Sequence, residues 1–160
     1  NDYKAYMQKL ADEETARQAL ETRTVDKVSP GEQQPETDHR METDDSSKGN
    51  TEGIFFRDAQ DGHYFSYLMQ TSGETNLSLQ LKFWGQDEWR TSEFDIYVND
   101  KLLCSVNNSH RWRTTQFKTV DYEIPAEFVK GKKEVRVKFV AHKGKQIGQI
   151  YGVRLVKNLK

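Results

Sequence analysis

The chain has 160 residues, of which 34% are hydrophobic and 31% are charged, so it is more polar than an average globular domain. Its 24 basic and 25 acidic residues give a formal net charge of −1. This balance argues against nucleic-acid binding, because phosphate contacts need a basic surface. No apolar run exceeds three residues, which excludes a membrane-spanning helix. The single cysteine excludes a disulfide framework and a multi-cysteine metal site.

Residues 1–23 are predicted to form a helix that connects this chain to a further domain. Its apolar residues follow the i, i+3, i+4, i+7 spacing of one helical face, at Tyr3, Tyr6, Met7 and Leu10. Because this stripe is narrow, the helix is marginal alone and needs a surface to rest on. That surface is either the domain's own sheet or a second domain.

Residues 24–53 are predicted to be an extended polar segment that packs on the next domain, because prolines and glycines interrupt any regular element. Its polar side chains are expected to protect strand edges, which is a structural role. A contribution to a sugar site or an interdomain site is the alternative. Arg57, the first basic residue after this segment, could likewise form a structural ion pair or face a ligand, and the ion pair is favoured. These residues are Glu32, Gln33, Asp38, His39 and Arg57.

Residues 54–160 are predicted to form an antiparallel β-sandwich. Apolar and polar residues alternate from residue 62 onward, for example over 77–84 and 135–141, the pattern of half-buried strands. At least six strands are expected, with a hairpin turn at Asn99-Asp100. Since no helices recur between them, a parallel α/β fold is disfavoured. The fold class is therefore mainly β, with one N-terminal α-helix.

The sequence carries no recognisable catalytic motif. Cys104 falls on the same strand face as Leu102 and Val106, which predicts a buried and inert thiol on the core face of a strand. The histidines lack the spacing of a zinc site, and no nucleophile elbow or phosphate-binding loop occurs. Carboxylates are numerous, so a hydrolase using two loop carboxylates stays open as a minor alternative, although no pair stands out.

No cofactor or metal is predicted, with Ca²⁺ in a loop as the alternative. Carboxylate oxygens suit that ion, and loop carboxylates occur at Asp44, Asp45, Asp58 and Asp61. Their spacing does not match an EF-hand. Solvated loop charges are the favoured interpretation.

The tryptophans are the more informative signal. An exposed aromatic ring beside polar side chains offers a sugar both a flat apolar face and hydrogen-bonding partners. The competing interpretation is that each tryptophan caps the end of the sandwich core. The candidate carbohydrate-binding residues are Trp84, Trp89, Arg90, Trp112, His63 and Asp61.

Several runs resemble the C-terminal part of bacterial glycoside hydrolases of the β-L-arabinofuranosidase type (glycoside hydrolase family 127-like). The resemblance covers roughly residues 24–156. Its most specific run is Pro30–Glu36 followed by Asp38-His39, and the others are Phe56–Ala59, Phe94–Asp100, Tyr122–Pro125 and Ile150–Leu155. It implies a jelly-roll, galactose-binding-like sandwich that follows a helical-barrel catalytic domain. The cysteine-nucleophile, zinc-assisted chemistry of that family belongs to the barrel. No catalytic residue is carried over, and this chain is predicted not to be an enzyme.

The resemblance implies a non-catalytic accessory module of a secreted glycoside hydrolase. The module would support the catalytic domain of the same polypeptide and bind plant cell-wall glycan, in the bacterial periplasm or at the cell surface. The alternative is a purely structural or protein-interaction sandwich with no ligand of its own.

Overall fold

The computed structural model describes residues 1–86 and 91–159, which contain eleven strands and three helices. The helices are α1 (Asp2–Arg23), α2 (Gln33–Asp38) and α3 (Ala126–Val129). The strands are β1 (Thr24–Val28), β2 (Glu42–Thr43), β3 (Ser47–Thr51), β4 (Ile54–Asp58), β5 (Tyr64–Gln70), β6 (Leu77–Trp84), β7 (Glu93–Val98), β8 (Lys101–Asn107), β9 (Phe117–Glu123), β10 (Glu134–Ala141) and β11 (Gly152–Lys157).

Two antiparallel sheets enclose one hydrophobic core. One sheet has the strand order β1-β11-β6-β9 and the other has the order β2-β5-β10-β7-β8, while β3 and β4 form a separate hairpin. Alternation along the strands produces this arrangement: Leu77, Leu79 and Leu81 of β6 are fully buried against Phe65 and Phe139 of the other sheet. The predicted antiparallel sandwich with an N-terminal helix is confirmed.

The predicted hairpin at Asn99-Asp100 is also confirmed, since β7 and β8 pair across it. Asn99 has φ +48° and Asp100 has φ +66°. A two-residue hairpin turn of type I′ has positive φ at both central residues, and Asn and Asp tolerate that conformation better than other residues with a side chain.

The sandwich uses more of the chain than residues 54–160. β1 pairs with β11 and β2 pairs with β5, so both sheets recruit a strand from residues 24–53. These strands are short edge strands of mixed polarity, and their pairing depends on backbone hydrogen bonds rather than on an alternating apolar face. Periodicity therefore could not reveal them.

Cys104 is half-buried rather than buried, which corrects the prediction for its strand. The register between β7 and β8 shifts between Ile96 and Tyr97, so one extra residue of β8 bulges and the alternation breaks. As a result Leu102 is 51% exposed. Burial and the nearby charge of Asp95 raise the pKa of the Cys104 thiol, which keeps it protonated and unreactive.

Helix α1 touches the sandwich only near its C-terminal end. There Glu21 accepts a hydrogen bond from Arg154 at 3.0 Å, and Arg23 donates to the carbonyl of Lys157 at 3.0 Å. The stripe at its N-terminal end is solvent-facing, with Tyr3 72% exposed, and nothing in the part of the chain that the structure describes covers it. Among the described residues, none of the helices has an apolar stretch long enough to cross a bilayer.

A buried ion pair joins α2 to β4. Arg57 donates to both carboxylate oxygens of Glu36, at 2.6 and 2.8 Å, and Tyr67 donates its hydroxyl hydrogen to Glu36 at 2.6 Å. Glu36 is 4% exposed and Arg57 is 8% exposed. Burial alone would raise the pKa of Glu36, but the hydrogen bonds from Arg57 and Tyr67 outweigh it and hold that pKa below its usual range.

A second polar contact attaches the end of α2 to the sheets. His39 contacts Asp26 of β1 at 2.9 Å through Nε2 and the carbonyl oxygen of Pro35 at 2.7 Å through Nδ1. Asp26 also accepts the backbone N–H of Gln70 at 2.8 Å. The bond to Asp26 raises the pKa of His39 despite partial burial.

Replacing Arg57 by methionine should cost roughly 3–5 kcal/mol of unfolding free energy, because Glu36 would be left as an uncompensated buried charge. Urea denaturation measures this loss. Lys48→Met, on the neighbouring strand and exposed, is the control and should change stability by less than about 0.5 kcal/mol. If Arg57→Met does not fold, the Glu36→Met/Arg57→Met double variant should recover folded protein. An Arg57→Met variant as stable as Lys48→Met would contradict a stabilising role for the Glu36–Arg57 ion pair.

The His39–Asp26 contact should make stability depend on pH in a defined direction. A histidine whose pKa is raised by folding stabilises the protein below its unfolded pKa, and that contribution is lost as the pH rises through the folded value. His39→Gln should therefore destabilise the chain more at about pH 5.5 than at about pH 8.5. Urea denaturation of the variant and the unmodified chain at both pH values checks this. A loss of unfolding free energy that is the same at the two pH values would contradict it.

Candidate functional site

A groove of about 330 Å³ lies on the outer face of the four-stranded sheet. Antiparallel register sets its floor: Lys82 of β6 lies between Gly152 of β11 and Thr119 of β9. Gln80 and Arg154 form the adjacent cross-strand pair. This volume is at the lower end of small-molecule sites, which span roughly 300–1,000 Å³.

Gly152 keeps the floor of the groove open. A Cβ atom at this position would stand 3.3 Å from Cβ and 3.7 Å from Cδ of Lys82. Because the glycine leaves this space free, the Lys82 side chain lies along the floor. The walls come from four other segments, through Leu20 of α1, Glu32 before α2, Ile54 of β4 and Tyr151 before β11.

A row of aromatic rings runs beside this groove. The ring centroids of Trp84 and Phe117 are 4.9 Å apart, those of Phe117 and Tyr151 are 5.1 Å apart, and those of Tyr151 and Phe56 are 5.3 Å apart. Each ring comes from a different part of the chain, near β6, β9, β11 and β4. Tyr151 lines the groove and is buried, whereas Trp84 and Phe117 lie beyond the residues that line it and are partly exposed. The row therefore extends from the groove toward the Trp84 end of β6 and offers apolar ring surface next to it.

Polar and charged groups line the rest of the groove. Lys82 Nζ stands 4.5 Å from the centroid of the Phe117 ring, a cation–π geometry. Gln80 donates to Asp121 at 2.9 Å, and Lys27 donates to both oxygens of Glu21 at 3.2 Å. The groove therefore combines aromatic surface with several hydrogen-bonding groups.

The loop end of the sandwich offers less room among the described residues. A cavity there holds about 10 Å³, space for about one water molecule. Its lining residues are Phe83, Trp84, Ser92, Asn108, Trp112 and Gly148. The Nδ2 atom of Asn108 is buried without a hydrogen-bond partner among the described residues, which such a water would satisfy.

The candidate carbohydrate-binding residues do not converge on one site. Trp84 and Trp112 share the small loop-end cavity, but Trp112 packs on Phe83 with centroids 5.8 Å apart and thus covers an end of the core. His63 contacts Asp44 at 2.8 Å, and Asp61 accepts the backbone N–H of Gly144 at 2.9 Å. Trp89 and Arg90 lie outside the described residues.

The structure separates the polar residues of the 24–53 segment, and Arg57 beyond it, into different environments. His39 and Arg57 make the contacts described above, and Asp38 accepts a hydrogen bond from Gln34 at 2.7 Å. Glu32 lines the groove, whereas Gln33 lines an open cavity over the Glu36–Arg57 pair. Sequence reasoning did not single out Glu36, since a glutamate between polar residues carries no sign of its burial.

Three of the four loop carboxylates already accept hydrogen bonds. Asp44 uses its two oxygens on His63 and on the backbone N–H of Tyr64, while Asp58 and Asp61 accept backbone N–H groups. Within residues 1–86 and 91–159, no group of three or more His, Cys, Asp or Glu side chains could hold a metal ion.

Most of the groove residues were missed from the sequence. Alternation indicates that Gln80, Lys82 and Trp84 face outward from β6, but it does not say which strands flank β6. Phe117 and Gly152 join them only through the pairing of β6 with β9 and β11. Finding these residues from the sequence would have required a prediction of the strand order.

Comparisons with known proteins place these features in context. A family model described as a family of unknown function, DUF6805, matches residues 19–156. No curated protein sequence matches the chain.

Several solved structures share the fold. A family 35 carbohydrate-binding module from an environmental isolate is 21% identical, with a TM-score of 0.55 over 71% of this chain and 81% of that one. A family 35 module from Clostridium thermocellum is 8% identical, with a TM-score of 0.58 over 82% and 98%. A CBM36 module in complex with calcium and xylotriose is 11% identical, with a TM-score of 0.52 over 81% and 98%. At these identities the likeness shows the fold.

Proposed function

The chain belongs to DUF6805, a family of unknown function, and we propose that it is a non-catalytic glycan-binding module whose site is the groove on the outer sheet face. The observation that carries this proposal is the row of rings Trp84, Phe117 and Tyr151 beside a groove lined by polar side chains. The similar solved structures support it, because they include carbohydrate-binding modules and one of these holds xylotriose.

The groove matches the two surfaces of a sugar ring. The partly exposed faces of Trp84 and Phe117 suit the C–H face of a pyranose or furanose. Gln80, Thr119 and Lys82 line the floor nearby and supply donors and acceptors for hydroxyl groups. This arrangement binds a saccharide without bringing any reactive group to it.

We place the module within a secreted bacterial glycoside hydrolase of the β-L-arabinofuranosidase type, where it would support the catalytic domain. This placement rests on the resemblance of the Pro30–Glu36 and Ile150–Leu155 runs. In that setting the glycan is of the plant cell-wall type, and the module acts in the periplasm or at the cell surface. Calcium stays an alternative, because one of the similar solved structures holds calcium together with xylotriose.

A protein-interaction role is the second candidate, and the exposed stripe of α1 favours it. Tyr3, Tyr6 and Met7 are all solvent-facing, whereas apolar side chains on one helical face usually pack on something. In this role the groove would have no ligand, and the helix would dock on a neighbouring domain.

Trp84→Ala should weaken glycan binding by about 1–2 kcal/mol, or roughly 5- to 30-fold, because a sugar would lose a stacking surface. A glycan array with and without Ca²⁺ identifies the ligand, and calorimetric titration then measures the affinity. Gly152→Val should also weaken binding, since its side chain fills the groove floor. Trp112→Phe alters an aromatic residue outside the groove and should leave the affinity unchanged. Equal affinity of Trp84→Ala, Gly152→Val and the unmodified chain would exclude the groove.

Removing residues 1–18 tests the second candidate and retains the contacts of Glu21 and Arg23. If α1 serves only to dock, the truncated chain should keep its unfolding free energy, because residues 1–18 are exposed. Its association with a separately produced catalytic domain of the same polypeptide should be lost, as measured by analytical ultracentrifugation. Association that survives the truncation would contradict a docking role for the stripe.

A further inference from the structure

Lys82 is a half-buried cation without a counter-ion. It forms no ion pair with a carboxylate among the described residues, and its ammonium group lies over the Phe117 ring. Other cations around the groove are compensated: Lys27 pairs with Glu21 and Arg23 pairs with Asp121. A half-buried charge is costly when it has neither full hydration nor a partner.

A second cation stands next to it. Lys82 faces Gly152 across β6 and β11, so Arg154, two residues further along β11, is its diagonal neighbour on the same sheet face. Both residues line the groove. The NH1 nitrogen of Arg154 donates to Glu21 and Thr24, whereas its NH2 nitrogen forms no hydrogen bond with the described residues.

The two cations disfavour each other in the free protein. Burial lowers the pKa of Lys82, and the positive charge of Arg154 lowers it further. A negative group between them would replace this repulsion by two attractions. Since the site is partly buried, salt would screen those attractions less than at an open surface.

The acidic side chains near this point already have partners other than Lys82. Glu21 is engaged by both Lys27 and Arg154, and Asp121 accepts from Gln80 and Arg23. Glu32 lines the opposite wall, before α2, and is exposed. Among the described residues Lys82 is therefore the groove cation that no carboxylate pairs with, and an anionic ligand would supply its missing partner.

We infer that the groove selects glycans bearing an anionic substituent, the carboxylate of a uronic acid or a sulfate ester, and holds that substituent between Lys82 and Arg154. This inference rests on the proposed glycan site. Stacking on Trp84 and Phe117 would hold the sugar ring, and the two cations would raise the affinity for a charged sugar above that for its neutral counterpart.

Matched ligands test the inference. Oligosaccharides of polygalacturonate, glucuronoxylan and alginate are titrated calorimetrically beside their carboxyl-reduced forms, and a sulfated galactan beside its desulfated form. At least one anionic ligand should bind about tenfold more tightly than its neutral counterpart, as expected for a hydrogen bond between charged groups. The carboxylate and sulfate pairs distinguish the two substituents.

Two variants assign the preference to its residue. Lys82→Gln should remove the preference, so that the charged and neutral forms bind it with the same affinity. Lys138→Gln is the matched control, because Lys138 also lies over an aromatic ring, 4.3 Å from the centroid of Tyr64, on the other sheet. It should leave the preference intact.

The outcomes separate this inference from the proposed function. Equal binding of charged and neutral partners overturns the anion selectivity and leaves the glycan site standing. A preference that survives in Lys82→Gln overturns the placement of the anion. Absence of binding to every charged and neutral ligand overturns both.

Discussion

The buried Glu36–Arg57 pair is the interaction on which the remaining structure depends. Arg57 reaches α2 through its side chain, and through its backbone it exchanges hydrogen bonds with Ile150 at 3.1 and 2.9 Å. Ile150 leads directly into Tyr151 and Gly152, which belong to the groove. One residue thus connects the N-terminal segment to the aromatic row and to the groove floor, so loss of the ion pair would disturb more than α2.

Gly31, just before α2, brings the N-terminal segment close to the backbone of β4. Gly31 has φ +85°, and a Cβ atom there would stand only 2.6 Å from the carbonyl oxygen of Phe56. Any other residue would push the segment away from β4. The segment is polar and contains prolines, but it is fixed in place by one close backbone contact, one ion pair and the His39 contact.

Strands with alternating residues could be predicted from the sequence, because burial of one face imposes a period of two. β6 and β10 are examples, and the turn at Asn99-Asp100 follows from the tolerance of these residues for positive φ. β1, β3 and β4 could not be predicted, since they are short and their pairing depends on backbone groups that every residue carries. Burial of Glu36 depends on partners 21 and 31 residues away, which no local pattern contains.

The candidate site shows the same division. Trp84 was identified because its outward position follows from the alternation of β6. Phe117 and Gly152 were not, because their place beside Lys82 is set by strand order. Trp112, like Trp84, is a tryptophan close to polar residues in the sequence, yet it packs on Phe83. Local sequence therefore indicates which aromatic residues lie near a strand end, but not which neighbouring strands and rings they contact.

Helix α1 passes into β1 without an intervening loop, because Thr24 is both the C-cap of the helix and the first residue of the strand. Its 22 residues give a rod of roughly 33 Å at 1.5 Å per residue. Glu21 and Arg23 anchor the base of this rod beside the groove. Under the proposed function, the length of the helix would set the distance between a bound saccharide and a partner at the far end, so the helix would act as a spacer as well as an attachment.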